Sequence, residues 1–266
     1  MNFGEILDGL RADGDARVVH VPADWAQGRT MFGGLQVALA IRAIRDALEA
    51  TGGVPLRSLH ATFIGPVAAG ADVRMVPRLL RRGRSATHAH CDLYSGTDLG
   101  CMVTAIFGAP RPSAISIEAH PADFSADPET LADAPRVPGI HPAFLRYVEM
   151  RWARGQPLYQ GHDEPSSLIY VRMRDRRCTA EEYLVALADS IPTPALSMLA
   201  TPAPANSLNW MLEILGDPER LDRDGWCPIE TEVRAGCDGY LSQTSILRGP
   251  DGHAYSVSHQ TVGIYA

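Results

Sequence analysis

The sequence predicts an α+β protein built from two tandem copies of one unit, each a long helix laid against an antiparallel sheet. Three observations carry this. Each half runs from strand to helix to a meander of strand-like segments, unlike the regular alternation of doubly wound or barrel proteins. Matching segments recur in the same order: LHATFIGPVAAG answers SLNWMLEILGDP, RRGRSATHAHCDLYSG answers RAGCDGYLSQTSILRG, and LGCMVTAIFG answers HAYSVSHQTVG. A proline-rich stretch separates the halves. The repeat, roughly 110 to 130 residues, is far longer than solenoid periods.

In the first half, Arg17 to His20 alternates enough for a short strand, broken by Pro22, Asp24 and Gly28. MFGGLQVALAIRAIRDALEATGG reads as a helix. Its first turns are apolar all round, as in a helix buried in a core, and Gly52 and Gly53 stop it. Strand runs follow at LRSLHATFIGPV, ADVRMVPRLLRRGRSATHAHCDLYSG and DLGCMVTAIFGAP. The second should break near Pro77 or between Arg82 and Gly83. Ser95-Gly96-Thr97-Asp98 is a hairpin turn.

From Pro110 to Pro142 prolines recur among acids and alanines, which predicts a connector with no core. The expected organisation is a unit at 1–110, a linker at 111–141 and a unit at 142–266. In the second unit FLRYVEMRWARGQPL and SLIYVRMRD read as strands. TAEEYLVALADSIPTPALSML reads as a helix, with Thr179 and Glu182 forming a capping box and Pro192 and Pro194 ending or kinking it. Strand runs follow at NSLNWMLEIL, PIETEVRAGCDGYLSQTSILRGPDG and HAYSVSHQTVGIY, with a turn at Gly249-Pro250-Asp251-Gly252.

Composition narrows the function. Hydrophobic residues make up 45% and charged residues 21%, ordinary for a globular protein. A net charge of −7 argues against nucleic acid as a partner. All 24 basic residues are arginine, so lysine Schiff-base, pyridoxal-phosphate and P-loop chemistry is excluded. Five cysteines without a CxxC pair argue against a disulfide framework or structural zinc, and fit a reducing cytoplasm. No signal peptide and no apolar run of membrane-spanning length is found.

Motifs with known mechanics, GxSxG, HExxH, SxxK and GxGxxG, are missing. His88 and His90 share a strand face, but no third ligand is indicated and no metal is expected. Arg81, Arg82 and Arg84 form the densest basic cluster. It reads either as a solvated strand edge or as a contact for the phosphates of a ligand such as coenzyme A. Asp189 is a carboxylate inside the apolar stretch LVALADSIPTP and needs a partner or a role. Ser207 opens a strand and Gln260 lies in the last one.

Met31-Phe32-Gly33-Gly34 opens a helix, Leu59-His60-Ala61-Thr62-Phe63-Ile64-Gly65-Pro66 opens a strand, and Gly83-Arg84-Ser85 precedes a strand ending in TAIFG. This series resembles the acyl-CoA thioesterase II (TesB-like) family, from about residue 15 to the end, most specifically in the first half. The resemblance implies a double hotdog: two units, each a long helix wrapped by a curved antiparallel sheet. It implies hydrolysis of acyl-coenzyme A to an acid and a thiol, without metal, cofactor or covalent intermediate, and a homo-oligomer, a dimer of double hotdogs. It also places the catalytic group at Asp189, Ser207 and Gln260, with serine for the family's threonine. Asn209 stands where the family often has Asp, and Leu35 intervenes in what is often Gly-Gly-Gln. N–H groups at Gly33 and Gly34 are the candidate oxyanion and substrate-binding donors. A hotdog hydratase or dehydratase and a non-catalytic acyl-ligand binder are the alternatives.

Overall fold

The computed structural model describes residues 1–115, 117, 124, 126–134 and 141–266. The chain opens with α1 (Phe3–Asp8), which the sequence reading missed. Asn2 and Glu5 form a capping box around it, and Phe3, Ile6 and Leu7 on its inner side are buried. β1 (Arg11–Asp13), β2 (Ala16–Val21) and a two-residue hairpin, β3 (Ala26–Gln27) with β4 (Thr30–Met31), lead to α2 (Gly33–Ala47). The first unit finishes with β5 (Leu56–Phe63), β6 (Ala71–Arg82), β7 (Thr87–Ser95) and β8 (Asp98–Phe107). The second unit contains β9 (Val148–Arg154), β10 (Ser166–Met173), α3 (Ala180–Ala188), β11 (Ala205–Ile214), β12 (Cys227–Cys237), β13 (Tyr240–Arg248) and β14 (Ala254–Ile264).

Twelve strands form one sheet in the order β1-β2-β6-β7-β8-β5-β11-β14-β13-β12-β10-β9. Read outward from its middle, the sheet has the same order on both sides, so β5 answers β11, β8 answers β14, β7 answers β13, β6 answers β12 and β2 answers β10. The halves join where β5 pairs antiparallel with β11, with Ala61 opposite Trp210 and Thr62 opposite Asn209. Along β7, Ala89, Cys91 and Leu93 point inward and are buried, while His88 and His90 stand on the other face. This period of two places the apolar residues of each strand on the helix side. α2 is buried over most of its circumference, from Gly34 to Ile44, as its apolar first turns predict. The fold is a double hotdog.

Several elements depart from the sequence reading. The first helix stops at Ala47, and a 3-10 turn at Glu49–Thr51 follows. β6 runs through Pro77 and ends at Arg82, the second of the two break points expected from the sequence. The β2 partner stops at Met75, so Pro77 lies where that side of β6 is an edge and its missing N–H costs no ladder bond. Residues 143–147 are 3-10 helix rather than strand. The second helix ends at Ala188, with a separate 3-10 turn at Pro194–Met198. The run from 228 to 252 is two strands. Asp238 and Gly239 both have positive φ, 52° and 79°, and turn the chain between β12 and β13.

Within the expected linker, residues 116, 118–123, 125 and 135–140 lie outside the described residues. The part at 126–134 lies along the second unit: the Tyr170 hydroxyl donates to the Ala126 carbonyl, and Trp226 Nε1 donates to Glu129 at 2.7 Å. Ala134 packs partly against the core. No helix among the described residues is long and apolar enough to cross a membrane.

Candidate active site

α2 and α3 pack side by side and run antiparallel. At one end the first turn of α3 meets the last turns of α2. Arg42 is bonded to Glu182 there, and Arg45 donates through Nε to Glu181 at 3.0 Å. At the other end Asp189, the C-cap of α3, meets the N-terminus of α2. Two glycines permit that approach. A Cβ on Gly33 would lie 2.6 Å from Asp189 Oδ2, and one on Gly34 would lie 2.7 Å from the Ala186 carbonyl oxygen. Neither distance leaves room for a methyl group, so the glycine pair is needed for helix contact.

Asp189 is enclosed by protein but keeps partial access to a cavity. Burial pushes its carboxyl up to about 7, opposed by hydrogen bonds from the Gln260 side chain and the Gly34 backbone. The positive end of the α2 dipole faces the same carboxylate, which favours its charged form. Gln260 Nε2 donates to Asp189 Oδ1 at 2.7 Å. Gln260 Oε1 in turn accepts from Gln243 Nε2 at 2.6 Å. Gln243 stands directly opposite Gln260 across the β13–β14 ladder and is 3% exposed. Sequence reasoning did not select Gln243. The one signal was an amide on the inward parity of β13, in line with Ser245 and Leu247.

Trp210 lies opposite Gln260 on the other side, and Ser207 lies opposite Val262. Residues opposed across a ladder share a face, so Ser207 joins Gln260 and Trp210 on the helix side. A bulge between Ser207 and Asn209 makes this possible, because a regular strand would put 207 and 210 on opposite faces. Ser207 makes no side-chain hydrogen bond among the described residues. Asn209 Oδ1 accepts from the Thr261 backbone N–H at 3.2 Å, on the outer face. Gln36 turns back to the chain before its helix, donating to the Met31 carbonyl at 2.7 Å.

The cavity beside Asp189 is partly open and offers about 60 Å³ of free space. Phe144, Val148, Met150, Trp152, Leu158 and Ile191 make its walls predominantly apolar, and Asp189 and Ser190 supply polar groups. Val148 and Met150 are buried at its inner side. The site thus offers a carboxyl with raised proton affinity, a positioned amide and a helix N-terminus next to an apolar chamber, the arrangement of a ligand site with few, placed polar groups.

Arg81, Arg82 and Arg84 are not part of this arrangement. Arg82 pairs with Thr87, and Thr87 with Phe107. The Arg45 guanidinium, near the C-terminus of α2, lies 4.3 Å from the centre of the Phe107 ring. The cluster therefore sits at the far end of α2 from Gly33, about 22 Å along a 15-residue helix. His90 is held by Asp92 at 2.7 Å and by Thr104 at 3.1 Å on the outer face. Among the described residues no group of three or more His, Cys, Asp or Glu side chains could hold a metal ion. Burial raises the Cys91, Cys101 and Cys227 thiols, which keeps them protonated.

Two family models match the chain. The acyl-CoA thioesterase N-terminal domain matches residues 21–108 and the acyl-CoA thioesterase C-terminal domain matches residues 122–264. Among solved structures, a conserved hot dog protein of unknown function from Alicyclobacillus acidocaldarius is 21% identical, with TM-score 0.85 over 100% of this chain and 99% of that one. A putative thioesterase II from Thermobifida fusca is 16% identical, with TM-score 0.82 over 99% and 97%. A tesB protein of Mycobacterium avium subs paratuberculosis is 14% identical, with TM-score 0.81 over 100% of both chains. At these identities the likeness shows the fold. No curated protein is close enough in sequence to count as a match.

Proposed function

The chain belongs to the acyl-CoA thioesterase family and is a thioester hydrolase, and we propose that it cleaves acyl-coenzyme A with a water aligned by Asp189, Gln260 and Ser207. The observation that carries this reading is the 2.7 Å contact that Gln260 makes with Asp189, which lines the apolar cavity. A thioester carbonyl is already electrophilic, so the site needs only to place and polarise a nucleophile. Asp189 takes a proton from water as its oxygen bonds to the carbonyl carbon. Gln260 and Ser207 hold that water in line, which is the proximity contribution.

The oxyanion that forms lies at the head of α2, where unpaired first-turn N–H groups and the helix dipole stabilise negative charge. Gly34 already faces the carboxylate, so Gly33 is the foremost donor. The tetrahedral intermediate collapses as the carbon–sulfur bond breaks, and the Asp189 proton passes to the departing sulfur. The products are a carboxylic acid and free coenzyme A. The acyl group occupies the chamber lined by Phe144, Met150 and Trp152, whose apolar walls suit a hydrocarbon chain. The arginine cluster at 81, 82 and 84 has no part in this scheme.

Release of free thiol from acyl-coenzyme A esters of graded length, with wild type beside Asp189→Asn, tests the reading. Wild type should turn over, and the variant should lose about 10²- to 10⁴-fold in kcat while remaining folded. Undiminished turnover by the variant would move the chemistry elsewhere.

A further inference from the structure

We propose that Gln243 is a positioning residue, whose buried amide decides which way round the Gln260 amide stands. The inference rests on the reading of Asp189 and Gln260 as the water-activating pair.

The logic begins at the carboxylate. Once ionised, Asp189 can only accept, so Gln260 must present its NH2 to it. That leaves Gln260 Oε1 pointing the other way, at 2.6 Å from Gln243 Nε2. Gln243 thus donates to the one atom that would otherwise compete for the Asp189 side. Turning the Gln260 amide over would place its oxygen against a carboxylate and its NH2 against another NH2, two repulsive contacts. The direction of the whole chain, Gln243 to Gln260 to Asp189, is therefore set from both ends. The second N–H of the Gln260 amide stays free for the reacting water.

The surroundings argue that this amide is there for the site. The inward row through Gln243 and Gln260 continues into Trp210, Ala61, Val103 and Cys91, all fully buried and weakly polar at most. A hydrocarbon side chain of the same volume would match these neighbours. Instead Gln243 Oε1 is buried with no hydrogen-bond partner among the described residues. A core position that leaves one polar atom unsatisfied in order to make one outgoing bond is explained by what the bond does. Ser245, the next inward residue of β13, pairs with Thr231 at 2.7 Å and does not share in the chain.

Two substitutions separate this role from packing. Gln243→Met keeps the volume and removes the donor. Gln243→Glu keeps the shape but can only accept when ionised, so it competes with Asp189 for the Gln260 NH2. Steady-state hydrolysis of the best acyl-coenzyme A ester should show kcat down roughly tenfold for Gln243→Met and further for Gln243→Glu, with KM within about twofold of wild type. In a Gln260→Met background neither change should lower kcat again, since the bond they act on is gone. Additive losses in that background, or wild-type kcat in both single variants, would overturn the proposal. If one variant fails to fold, the other decides by the same cycle. Should Asp189→Asn hydrolyse normally, the reading of the site fails and this inference with it. Should Asp189→Asn be inactive while both Gln243 variants keep wild-type kcat, only the role of Gln243 falls.

Discussion

Replacing Asp189 by asparagine should make the protein more stable, by an amount that depends on pH. Burial raises the carboxyl from 3.8 to about 7 in the folded chain. In the unfolded chain the group titrates at its ordinary value. The folded state therefore binds this proton more tightly, and the favourable contribution is complete below pH 4. It is lost progressively as pH rises through about 7, because the fold must then hold a charge at a dry position. At about 1.4 kcal/mol per tenfold change in proton affinity, the full penalty above pH 8 is about 4 kcal/mol as an upper bound. Asparagine carries no charge to bury, so Asp189→Asn escapes it. Urea unfolding of both proteins at intervals from pH 5 to pH 9 measures the difference. The variant's advantage should widen between pH 5 and pH 7 and level off above pH 8, on top of any constant offset from the altered hydrogen bonds. A difference that stays flat across this range would refute the argument, since it would mean that the carboxyl has an ordinary proton affinity in the fold.

If Asp189 is the base proposed above, the same proton governs turnover: kcat/KM for acyl-coenzyme A should fall about tenfold per pH unit below about 7, read from a stopped-time thiol assay across pH 5 to 9. Gly33→Ala should drive a methyl into Asp189 Oδ2 and lower kcat at least tenfold, with about 1–3 kcal/mol lost in urea unfolding from the crowded helix contact. Gly53→Ala, at an exposed turn with a positive φ of 68°, should also lose stability but leave kcat unchanged, which separates strain from the loss of the site. Met150→Trp should fill the inner side of the cavity and shift the preferred ester to shorter acyl chains, seen as a falling kcat/KM ratio of long to short substrates.

The order of elements was legible because hydrophobic periodicity and turn residues act locally. The capping box at Thr179 and Glu182 and the apolar first turns of the long helix are local signals, and both elements formed where they predict. The Asp238-Gly239 turn carries an equally local signal and was passed over inside a run of strand-forming residues. Asp189 stood out because a carboxylate in LVALADSIP violates the burial pattern, whereas Ser207 and Gln260 were marked only by their place in a strand and gained a role only through resemblance. Nothing local distinguishes them from any polar residue in a strand. Their shared face depends on ladder register and on the bulge beside Ser207, both long-range facts. Gln243 was illegible for the same reason, since it matters only through the residue directly across the ladder. The glycine pair illustrates a different gap. Gly33 and Gly34 suggested room for substrate, but Asp189 crowds the first, and the Phe32 ring and the Ala186 carbonyl crowd the second.

An antiparallel pair of equivalent helices has two ends that a duplication would have made alike. Here one end holds Asp189 and its cavity, and the other is closed by the Arg42–Glu182 and Arg45–Glu181 ion pairs. Glu182 is almost wholly covered, and charges so placed would lose heavily on separation, so that end is not free to open for a ligand. Each polypeptide should accordingly titrate as a single centre. A tight, slowly dissociating thioester analogue would saturate at one equivalent per chain, and the other half of the duplication contributes a wall, a helix dipole and the five paired residues of the shared seam rather than a second turnover.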